Sequence, residues 1–388
     1  MKSAPSESGN VATDAASGTL SQQLLTILQW IKPALPPVLI NEEGYNRLAE
    51  VASLLPVELS NFWGFECRLG QKTALADILF EVKRETPGIA LLAGEIPSAL
   101  DQLCDTWPGW NNLRILAQCW LNDLHLFRNH LRNIWLEFDL AEALSQEALQ
   151  KASRSPNFFF GPESHSSPRE ILAVTAEIMH LHRRSVPDIS VLRWFLETMP
   201  IDAKLFQIGL MLTRVDDCGL RLCVNKISPE AIIPWLAMIL PEGEAEALTP
   251  ILSELLPMSQ YFALDFNLTG KGVDAAIGFE CYQDWLQDDP GQWLELLNYL
   301  TRRGLCLPEK GQAVRDYTGI TASPLCDRFA GNLVYLHTFR KIHHVKCTLH
   351  QGRITQAKAY LAVSRPSLPL ADVFPSTVAA MQQVNHAW

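Results

Sequence analysis

The residues best placed for chemistry lie near the C-terminus, in HHVKCTLHQGRITQAKAYLAVS (343–364). Lys346, Thr348 and His350 alternate with Val345, Cys347 and Leu349; after a turn, Lys358 and Tyr360 alternate with Ala357, Ala359, Leu361 and Val363. Period-two alternation over two short runs predicts a β-hairpin, with one set of side chains on each side. One side is apolar. The other gathers two lysines, a histidine and a tyrosine, which are donor groups suited to holding an anion. Such a face either lies in water or lines a cavity.

The elements that must position these residues repeat along the chain. Strand pairs are predicted at 61–70 with 75–85, 130–140 with 156–164, 203–214 with 220–227, and 259–270 with 274–284, and the hairpin makes a fifth. Helical periodicity fills the intervals, including a run over 96–127 broken near Pro108-Gly109 and a helix opening at Ser167-Pro168. The unit is two antiparallel strands followed by helix, roughly 60–70 residues long. Single strands between helices, the rule in doubly wound and (β/α)8 folds, are not seen.

Each pair keeps an apolar and a polar side. Phe65, Cys67 and Leu69 oppose Glu66 and Arg68; Phe80 and Val82 oppose Glu81 and Lys83. Phe206, Ile208, Leu210 and Leu212 oppose Gln207, Gly209, Met211 and Thr213; Leu220, Leu222 and Val224 oppose Arg221, Cys223 and Asn225. Phe262, Leu264, Phe266 and Leu268 oppose Tyr261, Ala263, Asp265 and Asn267; Ile277, Phe279 and Cys281 oppose Gly278, Glu280 and Tyr282. The polar side mixes single charges with Tyr, Trp135, Met and Gly, unlike a repetitive solvated face. About ten antiparallel strands can close on themselves and remove their edges. The expected class is α+β: a closed antiparallel ten-stranded β-barrel, helices outside and the polar side facing a lumen. The alternative is an open sheet whose polar face meets a partner protein.

Composition narrows the partners. The chain has 388 residues, 48% hydrophobic and 19% charged, with a formal net charge of -10. An acidic surface argues against nucleic acid, which needs phosphate neutralisation. Nine cysteines without a CxxC pair read as free, buried thiols of a reducing, cytoplasmic protein. No apolar run suits a leader or a membrane span. Residues 1–18 read as a polar disordered tail, 19–365 as one barrel domain and 366–388 as an extension. His343, His344 and His350 lack zinc-ligand spacing, and His180 and His182 would sit roughly 200° apart on a helix. No DDxxD, GxSxG, phosphate-binding loop or GxGxxG motif occurs.

This architecture, together with the Lys-x-Tyr of Lys358–Tyr360 on a strand, resembles the ABBA-fold (PT-barrel) aromatic and peptide prenyltransferases over roughly residues 55–365. The resemblance implies transfer of a dimethylallyl or geranyl group from its diphosphate, with or without magnesium, to an indole, a phenol or a peptide side chain. Arg68, Lys83, Arg221, Lys346 and Lys358 would converge on the diphosphate, with Tyr282 and Tyr360 donating to it. Trp135, Tyr261, Tyr282 and Tyr360 would shield the allylic cation. Glu66, Glu81 and Glu137 compete for the proton-accepting role, with Glu66 preferred because Arg68 keeps it ionised. The rival reading is a non-catalytic barrel that holds a peptide or small anion as accessory to another modifying enzyme. In it, each cation pairs with a neighbouring carboxylate instead of converging.

Overall fold

The computed structural model describes residues 23–143, 145–182, 189–213, 219–285, 289–326 and 333–365. The expected N-terminal tail and C-terminal extension lie outside them. Eleven strands form one antiparallel sheet: β1 (Phe62–Arg68), β2 (Ala76–Lys83), β3 (Leu131–Phe138), β4 (Asn157–Pro162), β5 (Lys204–Leu210), β6 (Leu220–Asn225), β7 (Tyr261–Thr269), β8 (Gly272–Tyr282), β9 (Gly319–Cys326), β10 (Leu333–His350) and β11 (Arg353–Ser364). Strands β1 to β8 pair in sequence; β8 then pairs with β10, β10 with β11, and β11 returns to β1. The sheet is therefore a closed ten-stranded barrel, and the open-sheet alternative is excluded. Strand β9 was not expected. Among the described residues it pairs only with the first half of β10, from Leu333↔Cys326 to Arg340↔Gly319, beside the ring.

Helices cover the outer side. Five of them begin with proline in the first turn, at Pro87, Pro108, Pro168, Pro229 and Pro308, where its missing N–H costs nothing. Ser167 and Glu170 add a reciprocal capping box. The outward side chains of the strands, among them Trp63, Phe65, Phe80, Phe138 and Phe266, are fully buried. Phe266 meets Phe195 and Trp235 of two helices edge-on, at 5.4 and 5.2 Å. Burying one such ring contributes about 2 kcal/mol. Of the tryptophans on these helices, Trp110, Trp120, Trp235 and Trp293 are buried, whereas Trp194 is 37% exposed.

Two bulges correct the expected faces. Pairing slips between Leu205 and Gln207 on β5, so Phe206 joins Cys223, Ala263 and Tyr282 inside instead of the outer core. A second slip, between Ile342 and His344 on β10, lets two consecutive histidines face the lumen. An extra residue in one strand shifts the side-chain parity beyond it.

The closing seam between β1 and β11 depends on Gly64, opposite Ala362. A Cβ there would lie 2.4 Å from the Leu361 carbonyl oxygen. Gly64→Ala is expected to lower stability by about 1–3 kcal/mol, read as a fall in the urea midpoint. An unchanged midpoint would mean the seam gives way freely.

Candidate active site

Three basic residues stand side by side on adjacent strands: Arg68 opposes Lys358, and Lys358 opposes Lys346. Each is already engaged. Arg68 reaches Asp77 and Glu142, both at 2.9 Å. Lys358 lies 2.6 Å from Glu66, which also accepts a hydrogen bond from the Tyr360 hydroxyl. Lys346 donates to Asp265 and stands 3.7 Å from Glu280. Arg221, across the barrel on β6, donates to Asn267 at 3.1 Å. Lys83 departs from the expected convergence. It sits 3.3 Å from Glu81, past the end of β1 that holds Phe62 and away from Arg68. The five cations thus form a row of three, one facing residue and one outlier.

Above this row the lumen is aromatic. Phe62 meets Trp135 edge-on at 5.8 Å and Trp285 at 6.0 Å. His344 stacks on Tyr360 at 4.0 Å, and Tyr282 lies 4.9 Å from His344. These rings, Trp285 excepted, border an inner cavity of about 80 Å³, which shares Phe206, Tyr282 and His343 with an outer vestibule of about 630 Å³ that Trp285 lines. Tyr261 stacks on Tyr282 at 5.0 Å but is 44% exposed and lines the vestibule, not the inner cavity.

Charge and burial set the protonation states. Burial would raise the Glu66 carboxyl, but Lys358 and Arg68, with hydrogen bonds from Lys358 and Tyr360, outweigh it and hold it well below its ordinary range. Asp77 shares Arg68 with Glu66. Burial and the charge of Glu66 push it up to about 7, against the pull of Arg68. Asp265 is held down despite its burial, because Lys346 and Arg221 favour its ionised form. Glu280, buried beside Asp265, is pushed up although Lys346 pulls the other way. Burial lowers His343 to about 3 and His344 well below its usual value, so both imidazoles are neutral at pH 7.

Of the residues expected from the sequence, Trp135, Glu137, Arg221, Tyr282, Lys346 and Tyr360 line the inner cavity. Glu66, Lys358 and Arg68 lie off its wall, and Glu66 meets it through Tyr360. Glu81 is held by Asn133, which donates to it at 2.6 Å, and by Lys83. Sequence reasoning passed over His343 and His344 as cavity residues. Their adjacency inside an alternating strand was the available signal, since only a bulge brings both to one side. Phe62 and Phe159 were also missed. Gly209 makes room for Phe159, whose ring a Cβ would meet at 2.3 Å.

No protein-family model matches the chain, and neither does any curated protein sequence. Solved structures do. A 6-dimethylallyl tryptophan synthase is 12% identical, with 88% of this chain aligned to 97% of that one at a TM-score of 0.51. The 6-dimethylallyltryptophan synthase of Micromonospora olivasterospora, in complex with DMASPP and Trp, is 11% identical over 89% of this chain and 98% of that one, also at 0.51. The closed ten-stranded antiparallel barrel with outer helices is the ABBA fold of these aromatic prenyltransferases. Among the described residues, no helix is long and apolar enough to cross a membrane.

Proposed function

We propose that this protein is a prenyltransferase that moves a dimethylallyl or geranyl group from its diphosphate to an electron-rich aromatic acceptor such as an indole. The observation that carries the reading is the Arg68–Lys358–Lys346 row set beneath an aromatic cavity in a barrel of this fold. The diphosphate would lie on Lys346 and Lys358 with Arg221 facing it, taking the place of the carboxylates these cations now hold. Tyr360 would donate to it once released from Glu66. The allylic C–O bond breaks and its electron pair leaves with the diphosphate. Phe62, Trp135 and Tyr282 would turn ring faces toward the cation and keep water away. The acceptor ring attacks, forming the C–C bond, and its displaced proton passes to Glu137, the candidate carboxylate on the cavity wall. Glu66 then acts as a positioning residue for Lys358 and Tyr360. The vestibule, bordered by Tyr261 and Trp285, would admit the acceptor.

One observation favours the second reading, an accessory barrel for a peptide or small anion. Four of the five lumen cations already face carboxylates, and the inner cavity holds only a few waters' worth of space. Donor entry therefore requires those pairs to open. Calorimetric titration with dimethylallyl and geranyl S-thiolodiphosphates, with and without magnesium, separates the two. Micromolar binding of either is expected. A folded protein that binds neither would leave the accessory barrel standing.

A further inference from the structure

One lumen cluster is not used by this reaction. Cys223 and Asp265 are direct partners across β6 and β7, and Glu280 comes from β8. Their ligand atoms lie within 4.8 Å of one another, and all three residues are buried. A cluster of acids alone would be a structural network. The second observation is His344, 93% buried by its 7% exposure. Its Nε2 has no hydrogen-bond partner and stands 3.8 Å from a Glu280 carboxylate oxygen. Its Nδ1 is 2.6 Å from the Nδ1 of His343. If His344 donates there, its Nε2 lone pair faces the carboxylates, the tautomer a metal ligand needs, and His343 fixes the ring as an outer partner. Gly278 supplies the space: a Cβ there would fall 2.0 Å from Asp265 Oδ1 and 2.8 Å from the Lys346 side chain.

We infer that Cys223, Asp265, Glu280 and His344 form a binding site for a divalent transition-metal ion of the zinc or cobalt type. One sulfur, one imidazole nitrogen and two carboxylate oxygens make a four-ligand set that suits such an ion. Magnesium, which wants octahedral oxygen and water, fits this set poorly. Ligands bonded at 2.0–2.3 Å stand roughly 3.5 Å apart, so the Cys223, Asp265 and Glu280 side chains, within 4.8 Å of one another, need only close inward, while the His344 ring, 3.8 Å from Glu280, must swing in to join them. A thiolate and two carboxylates bring three negative charges, a dication leaves one, and the Lys346 ammonium beside Asp265 balances it. Binding releases the Cys223 thiol proton to solvent, so affinity rises with pH.

The test uses the full chain and cobalt(II) alone, and it does not depend on the prenyl reading. A stoichiometric thiolate-to-cobalt charge-transfer band in the near ultraviolet is expected, bleached by added zinc. Cys223→Ser should remove the band. His344→Gln should keep it but weaken binding by at least about tenfold, the scale that even outer partners carry. Circular dichroism checks that both variants fold, and if Cys223→Ser does not, His344→Gln decides. The inference fails if the native chain shows no stoichiometric band, if the band survives in folded Cys223→Ser, or if His344→Gln binds cobalt as tightly as the native chain.

Discussion

Lys358→Met is expected to destabilise the protein by about 3 kcal/mol, the lower end of what breaking a buried ion pair costs. Methionine keeps much of the apolar stem, so the loss is mainly electrostatic. It leaves Glu66, which is 3% exposed, without the ammonium 2.6 Å away. Tyr360 and Arg68 remain and limit the damage. Adding Glu66→Gln should recover most of the stability, because the uncompensated charge is then gone; a double-mutant cycle in urea gives the coupling. The pH dependence has a definite sign. The folded Glu66 carboxyl lies below its unfolded value, so its contribution is full above about pH 4.3 and is lost as pH falls through the folded value. Lys358→Met should therefore lose less stability on acidification than the native chain. The same pair tests the donor site. The double variant should fold well yet bind dimethylallyl S-thiolodiphosphate more weakly, and native-like affinity would remove Lys358 from that site.

Much of this barrel is legible in period-two alternation, and the reason is physical. On β1, β6, β7, β8 and β11 the apolar side must meet helices, so Phe65, Leu222, Phe266, Phe279 and Leu361 mark the outside without ambiguity. Alternation does not report a bulge, which is why Phe206 and His343 were assigned wrongly or passed over. Nor does it report depth. Lys83 and Arg68 share a face parity, but the register of β1 against β2 sets them toward opposite ends of the pair. Partners supplied from connections are equally silent: Glu142, 74 positions from Arg68, reaches it from beyond β3. Strand β9 escaped because its register partner is the part of β10 outside the ring, not a neighbour inside the repeating unit. The parity of the strands that carry the cations was thus legible, while which of them stand together, and with what partners, depended on register and connections.

Trp135→Leu is expected to lower the rate of prenyl transfer about 30-fold while leaving donor affinity close to native. Trp135 is 6% exposed, packs edge-on against Phe62, and borders the cavity on the side away from the Arg68–Lys358–Lys346 row. It holds no diphosphate oxygen in the proposed arrangement, so the ground-state complex loses little. The allylic cation exists only after the C–O bond breaks. A desolvated cation–π contact of about 2 kcal/mol then disappears from the transition state alone, and at 1.36 kcal/mol per factor of ten this is about 30-fold. Leucine keeps the wall apolar but leaves a gap on one side of the cation. Water entering there should divert part of the turnover to the free prenyl alcohol. The ratio of alcohol to prenylated acceptor, followed by chromatography alongside calorimetric donor binding, separates loss of shielding from loss of binding. A variant with native transfer rate and no added alcohol would place the cation elsewhere in the barrel. If donor affinity collapsed instead, Trp135 would be supporting the diphosphate end of the site, and the proposed direction of the substrate along the barrel axis would have to be reversed.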